Sequence, residues 1–373
     1  MRVAVLGGAA RDLVNFRGHL LSELAKAGHT VYGLAPGGTE ALRAELAALG
    51  ATHLEAPIDR TGVNPLRDLA NARRLRRLLE GLRLDCLLAY EVKAVAFGLR
   101  AAAQAGIPRR FAMITGRGST LQGEPEGLKD RAVRAAVKAL YRAALGRASG
   151  VLFQNGDDQA FFESERLLAP AVPRTIVNGS GVDVDHFAPA PLPDGPTVFL
   201  FVGRLLRDKG VEEFVEASRR VSAGAAPVRF RILGPLDTNP KAIREDRLAA
   251  WTREGVVDYL GEAKDVRPAL AGAHVLVLPS YGEGTPRSVL EAMSMGRAIL
   301  TTDVPGCRAA VQDGRNGLLV PARDAAALAA AMARLAEDRA LLARLGAEGR
   351  RVAEDRYDVR KVTGDILRFM EIP

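Results

Sequence analysis

Short apolar runs alternate with longer helical patterns along almost the whole chain, and this alternation restricts the architecture more than any other feature of the sequence. RVAVLG (2–7), TVYGLA (30–35), LDCLLAY (84–90), RRFAMIT (109–115), GVLFQN (150–155) and RTIVNG (174–179) read as buried strands. Between them LVNFRGHLLSELAKAG, VKAVAFGLRAAAQAG and LKDRAVRAAVKALYRAALGRA carry apolar residues at helical spacing, with Gly28 and Gly106 where helix C-caps fall. Such alternation implies βαβ units and a parallel sheet covered on both faces. The pattern pauses once, at the proline-rich HFAPAPLPDGPT (186–197), and then restarts. TVFLFVG, a helix from Val211, VRFRILG, a helix near 241–253, VVDYLG, HVLVLPS, a helix from Pro286, AILTTD, NGLLVP and terminal helices follow.

The fold class expected is therefore α/β, with two Rossmann-like domains facing each other across a cleft. A length of 373 residues is too long for one ordinary compact domain and suits two. The domains are read as 1–185 and 197–355, joined by a linker at 186–196, with a terminal segment at 356–373. A hydrophobic fraction of 48% excludes a disordered chain. Cys86 and Cys307, far apart and outside any CxxC pair, exclude a disulfide scaffold or thiolate metal site and fit a reducing cytoplasm. The opening MRVAVLGGAARDLVNFRGHL lacks the uninterrupted apolar stretch of a secretory signal, and no long uncharged apolar run suggests a spanning helix.

Charge is distributed unevenly. Residues 1–190 hold 25 Lys and Arg against 19 Asp and Glu, and the remainder 27 against 25. Between Arg60 and Arg147 the count is 18 against 7. Nucleic acid, a membrane surface, an acidic substrate or plain solvation of the surface would each account for this excess. Aromatic residues make up only 5% of the chain, which argues against base stacking and hence against nucleic acid. The segments 66–84 and 127–148 set Arg and Lys beside Leu, Val and Ala, a pattern suited to reversible docking on anionic lipid headgroups.

The most informative stretch is PSYGEGTPRSVLEAMSMGRAILTTDVPG (279–306). A buried strand ends at Ser280 in a glycine-bearing loop, and Thr285 then Pro286 reads as a helix start, with Thr as N-cap and Pro at the first helical position. Loop amides and a helix N-terminus after a parallel strand suit a phosphate. Glu283 in that loop and Glu291 inside the helix can face one cleft and grip vicinal sugar hydroxyls. Taken singly, either glutamate is as well explained by the helix dipole or by solvent. The second stretch is VGRLLRDKG (202–210), where Gly203 ends a strand and Arg204 and Lys209 follow before the next helix. Cations beyond the carboxyl end of a parallel strand stand where ligands bind in such sheets. In the N-terminal half, Gly7 and Gly8 after the first strand allow close backbone approach, although GGAAR is not the GxGxxG dinucleotide pattern. ITGRGST (114–120), with Thr115 and Gly116, is a second glycine-rich loop. Asp183, Asp185 and His186 suit turn chemistry better than a metal, and His19, His29, His53 and His274 are scattered. No HExxH, GxSxG or Walker A pattern is present.

With those residues in view, the chain resembles glycosyltransferase family 4, whose members have the GT-B fold. The resemblance rests on the glutamates eight apart in EGTPRSVLE followed by AMSMGRAILTTDVPG, on GRLLRDKG and NGLLVPARD, and on FQNGDD and NGSGVD before HF. It implies that Arg204 and Lys209 bind the donor diphosphate, that Glu291 holds the nucleotide ribose, and that Glu283 with the amides around Gly284 and Thr285 holds the donor sugar. It implies too that Gly7 and Gly8 approach the diphosphate, and that the helix around Val359–Phe369 crosses back to the N-terminal domain. AYEVKAVAFGL, MITGRGST, VLFQNGDD and PSYGEGTPRS together resemble the bacterial branch that extends undecaprenyl-diphosphate-linked sugars. Much of family 4 carries a His in the N-terminal domain's central strand-end region. Glu91 and Lys93 stand there instead, and Lys93 becomes a candidate contact of the acceptor diphosphate or the donor.

The resemblance thus implies a retaining, metal-independent transfer of a sugar, of the N-acetylhexosamine class, from a UDP-sugar to a lipid-diphosphate-linked saccharide. No cofactor beyond the donor and no nucleic acid partner are expected. The expected location is the inner face of a bacterial cytoplasmic membrane, held peripherally. A sugar-nucleotide epimerase of the same fold and a non-catalytic sugar-nucleotide-binding protein at a membrane are the alternatives.

Overall fold

The alternating runs assemble into two separate parallel sheets, one in each of two compact units: Met1–Ser180 with Arg360–Pro373, and Gly181–Val359. The computed structural model describes residues 1–59, 65–123, 127–224, 226–237, 239 and 241–373. Arg60, where the basic stretch begins, lies outside them.

In chain order the first unit runs β1 (Arg2–Leu6), α1 (Ala10–Lys26), β2 (Thr30–Ala35), α2 (Glu40–Ala48), β3 (Ala51–Glu55) and α3 (Pro65–Leu82). It continues with β4 (Cys86–Tyr90), α4 (Val92–Gln104), β5 (Arg109–Ile114), α5 (Leu128–Leu145), β6 (Gly150–Phe153), α6 (Gly156–Ser164) and β7 (Arg174–Ile176). The sheet order is β3-β2-β1-β4-β5-β6-β7, all parallel. Both faces are buried because β1 alternates between them. Val3 and Val5 join Leu13, Leu88 and Met113 on one side, while Ala4 and Leu6 join Leu75, Leu87 and Val95 on the other. Each such fully buried Val or Leu contributes about 1.5–3 kcal/mol. β3, ATHLE, escapes the reading of apolar runs because its polar residues alternate with buried ones. His53 fits there because its Nε2 lies 3.0 Å from the Ala35 carbonyl.

The second unit holds β8 (Thr197–Val202), α7 (Val211–Ser222), β9 (Val228–Leu233), α8 (Glu245–Arg253), β10 (Asp258–Tyr259) and α9 (Arg267–Ala271). β11 (Val275–Leu278), α10 (Arg287–Ser294), β12 (Ala298–Thr302), α11 (Cys307–Ala310), β13 (Leu318–Val320), α12 (Ala325–Glu337) and α13 (Arg339–Val352) follow. Its order, β10-β9-β8-β11-β12-β13, is again all parallel. α14 (Val359–Phe369) begins where the chain leaves this unit. Its Val362 and Ile366, with Met370 and Ile372 beyond it, enter the core of the first unit, and the Phe369 ring meets Phe111 edge-on at 6.1 Å. Cys86 and Cys307 are buried, and burial pushes both thiols up to about 12, which suits packing rather than reaction.

The expected linker at 186–196 is corrected. The boundary falls at Ser180–Gly181, and residues 186–196 belong to the second unit. Phe187 is buried in that core. Arg297, only 1% exposed, donates to the carbonyls of Pro191 (3.1 Å), Ala273 (3.0 Å), Met295 and Ala190. Arg350 likewise donates to the Val184, Phe187 and Ser294 carbonyls. Proline deprives this segment of donors but leaves its carbonyls needing partners, and two arginines supply them. A buried acceptor left unsatisfied costs about 1–3 kcal/mol. Replacing Arg297 by Met should therefore lower the stability of the second unit by at least about 3 kcal/mol in urea denaturation; an unchanged midpoint would refute this clamp.

Candidate active site

In a doubly wound sheet, neighbouring strands whose connections leave in opposite directions open a crevice at their carboxyl ends. The second unit reverses direction between β8 and β11, and the two stretches singled out in the sequence follow those two strands. After β8 the chain runs through Gly203 and Arg204 to a short 3₁₀ turn, Arg207–Lys209, and Gly210. After β11 it runs through Ser280 to Glu283, Gly284 and Thr285 before α10.

The two loops are bound to each other. The Tyr281 amide donates to the Asp208 carbonyl at 2.9 Å, and Ser280 Oγ lies 3.2 Å from the same oxygen. Gly210 has φ +73°, and a Cβ there would lie 2.1 Å from the Pro279 carbonyl oxygen. Gly306, at φ +82°, presses in the same way on the Glu283 and Gly284 carbonyls. The backbones approach this closely only because side chains are missing. As a result Lys209 Nζ reaches Glu283 Oε1 at 2.5 Å, with side chains 24% and 12% exposed.

Arg204 Nη1 pairs with Asp237 Oδ2, in the loop after β9, at 2.9 Å. It is the more solvated cation, with its side chain 45% exposed. Glu291 is buried in α10, and its Oε1 accepts from Arg287 Nε one turn earlier at 2.7 Å. Burial raises the Glu291 carboxyl above its ordinary range, and the Arg287 charge opposes that rise. α10 itself starts one residue later than its sequence suggests: Pro286, not Thr285, is the cap residue, with no side-chain cap bond. Pro286 takes extended backbone (φ −74°, ψ 115°), leaving the helical turn to begin at Arg287.

The sequence left Asp237, Arg287 and the Tyr281–Glu213 pair unremarked. Tyr281 OH donates to Glu213 Oε1 at 2.5 Å, and burial with that carboxylate raises its hydroxyl. Arg287 was recoverable from its i,i+4 spacing to Glu291. Asp237 comes from a different loop, and no local spacing marks it.

The first unit reverses between β1 and β4, and its candidates fall on the loops after β1, β4 and β5. Gly7 and Gly8 make room for the unit's own side chains. A Cβ on Gly7 would lie 2.3 Å from Tyr90 OH, and one on Gly8 1.9 Å from Glu91 Oε2. The guanidinium of buried Arg17 stands 4.8 Å from the Tyr90 ring centroid. Glu91 holds φ +68°, a conformation costly for a side-chain-bearing residue and common at functional turns. Lys93 is drawn to Asp68 of α3 at 2.9 Å, both side chains largely buried. Its charge therefore ties α4 to α3. Thr115 and Gly116 follow β5, and Gly116 takes φ +126°. Arg117 next to them joins Asp158 of α6 at 2.7 Å. Among the described residues, no group of three or more His, Cys, Asp or Glu side chains is placed to hold a metal ion.

Comparison with known proteins agrees with this layout. Residues 14–179 match the family described as a glycosyl transferase 4-like domain, and residues 196–338 match glycosyl transferases group 1. The chain is 29% identical over 354 residues, covering 91% of each, to the N,N'-diacetylbacillosaminyl-diphospho-undecaprenol alpha-1,3-N-acetylgalactosaminyltransferase of Campylobacter jejuni. Sucrose-phosphate synthase from Thermosynechococcus elongatus superposes with a TM-score of 0.82 at 18% identity, over 100% of this chain and 98% of that one. Anabaena HepE in complex with UDP gives 0.76 at 16% identity, over the whole of both. Two all-parallel α/β units, a 4-like domain followed by a group 1 domain, and paired cations and carboxylates at the β8/β11 reversal place this chain in glycosyltransferase family 4, with the GT-B fold.

Proposed function

We propose that this enzyme moves a sugar of the N-acetylhexosamine class from a UDP-sugar to a lipid-diphosphate-linked saccharide, with retention of configuration and no metal ion, in bacterial glycan assembly. The observation that carries the reading is the meeting of Lys209 and Glu283 at the β8/β11 reversal, with Arg204 on the same loop as Lys209. The Campylobacter relative, which its name gives as acting on an undecaprenol-linked acceptor, supports the acceptor class, and HepE with UDP supports the donor class.

The hard step is separating an anionic diphosphate from an oxocarbenium-like sugar. The C1–O bond to the diphosphate breaks and a C1–O bond to the acceptor hydroxyl forms on the same face. The acceptor proton passes to the departing phosphate oxygen, so no protein nucleophile is required. Arg204 and Lys209, each now neutralised by a carboxylate, turn to the diphosphate and offset its growing charge. Glu283, released from Lys209, accepts from sugar hydroxyls, with the backbone at Gly284 and Thr285 beside it. Glu291, oriented by Arg287, takes the ribose hydroxyls, and Gly203 and Pro286 fix the ends of the two loops. Gly7 and Gly8, with Tyr90 and Glu91 over them, belong to the donor-binding residues, and Lys93, Thr115 and Gly116 to the acceptor side. The exposed arginines of α3 hold the enzyme peripherally on the anionic inner face of the cytoplasmic membrane.

The assignment is tested by screening UDP-sugars against short lipid-diphosphate acceptors and recording product mass and anomeric configuration. An inverted product would refute retention, and conversion of the donor sugar without acceptor would point to an epimerase. Arg204→Ala and Lys209→Ala should each lower turnover by about 10²–10³-fold, the equivalent of roughly 2–4 kcal/mol, with unchanged circular dichroism. Near-normal transfer by both variants would sink the roles given to these cations. EDTA is expected to leave the rate unchanged, and a strict Mg²⁺ requirement would contradict the metal-free scheme. Arg73, Arg74, Arg76 and Arg77 are all exposed on α3. Reversing all four charges should weaken flotation with anionic liposomes, and undiminished flotation would remove α3 from the docking surface.

A further inference from the structure

The first unit carries a concave basic site that the scheme above does not use. A cavity of about 650 Å³ is lined by residues of α5, of α6 and of the loop after β5. Its described lining brings together four cations, Arg117, Arg131, Arg134 and Lys138, against the one carboxylate Glu165. Arg131, Arg134 and Lys138 recur at helical spacing, so α5 presents them along one stripe. Like charges converging on a hollow repel one another, and low-dielectric walls focus their field into it.

Two of the four are fixed before any ligand arrives. Arg134 donates Nη1 to the Gly123 carbonyl at 2.6 Å and Nη2 to the Leu121 carbonyl at 2.9 Å. Its Nε is buried and has no hydrogen-bond partner. Arg117 is held by Asp158 Oδ1 at 2.7 Å and the Asp157 carbonyl at 2.9 Å, with its guanidinium 4.5 Å from the Phe161 ring centroid. Lys138 pairs with Glu165 at 2.7 Å. Arg131 is exposed and has no ion pair among the described residues.

We infer that this cavity is an anion site for a phosphate ester, separate from the donor residues of the second unit. Arg131, whose guanidinium is not committed to the loops, can take phosphate oxygens in a forked arrangement, Lys138 adds a compact charge, and the locked Arg117 and Arg134 supply fixed positive field. The volume admits a phosphate together with its substituent. A soluble phosphorylated metabolite and an anionic phospholipid headgroup share this chemistry.

The test uses the full chain, with glycerol 3-phosphate in calorimetry and vesicles of phosphatidylglycerol with phosphatidylcholine in flotation. The variants are Arg131→Gln/Lys138→Gln, which removes charge without touching the loop anchors, and Arg131→Lys, which keeps charge but loses the fork. Circular dichroism checks folding, and Arg131→Gln alone replaces the double variant if that one fails to fold. A soluble ligand predicts that glycerol 3-phosphate binds the native chain and weakens by at least about tenfold in the double variant. A headgroup predicts the same loss in phosphatidylglycerol flotation, while phosphatidylcholine vesicles stay unbound throughout. In whichever assay binds, Arg131→Lys should weaken binding despite its unchanged charge. The proposal is overturned if the native chain binds neither probe, or if the double variant binds whichever probe the native chain binds as tightly as the native chain does. Because the α3 arginines are left intact, loss here is distinguishable from loss of docking through α3, and transfer to a soluble acceptor analogue reads the donor site independently.

Discussion

The ammonium of Lys209 and the carboxylate of Glu283 meet because two turns of backbone run closer together than any residue with a Cβ would allow. Gly210 lies against the Pro279 carbonyl, and Gly306 against the carbonyls of Glu283 and Gly284. The turn after β8 is thereby bonded to the loop after β11 through the Asp208 carbonyl, and the charged side chains have little freedom left to lose. An ion pair between exposed, flexible partners contributes about 0–1 kcal/mol. Here the partners are largely shielded and held by backbone, so the pair fixes the geometry of the two loops rather than adding much to stability. In the proposed scheme an incoming diphosphate takes the lysine and leaves the glutamate to accept from sugar hydroxyls, so one contact serves both proposed roles.

The first unit uses the same topological device with different contents. At its β1/β4 reversal the space above Gly7 and Gly8 is occupied by Tyr90 and Glu91, and the positive φ at Glu91 is what turns its carboxylate over Gly8. The turn is therefore shaped by aromatic and acidic side chains, where the second unit presents cations. Lys93, two residues after Glu91, pairs with Asp68 and fastens α4 to α3. An acceptor that bound through this lysine would first have to break a largely buried pair, which costs more than recruiting an exposed arginine.

Both sheets were legible in the sequence because fully buried parallel strands announce themselves as continuous apolar runs. β3 was not, since its buried positions alternate with Thr52 and Glu55. The glutamates, Arg204 and Lys209 stood out because strand-end loops bearing charge and glycine are informative locally. What was hidden is what comes from elsewhere in the chain: Asp237 against Arg204, Asp68 against Lys93, and the approach of Tyr90 to Gly7. The segment 186–196 misled for a related reason. Its prolines read as a linker, but the residues that bind it, Arg297 and Arg350, lie about a hundred positions or more downstream. Carbonyl-rich backbone and a distant buried arginine leave no shared local pattern.

The positive excess of the N-terminal half also divides once partners are assigned. Arg109 donates to the Met370 carbonyl beyond α14, and Arg110 to the Arg147 and Ile107 carbonyls. Arg117 secures α6 through Asp158, and Arg134 secures the loop after β5 through two carbonyls. These are structural uses of a planar, multidonor cation that lysine could not replace. What remains solvated includes Arg73, Arg74, Arg76 and Arg77 of α3 and Arg131 of α5. A uniform solubilising charge would have been spread among unrelated surfaces. Charge grouped in this way makes the net charge of the whole chain understate the strength of the local field.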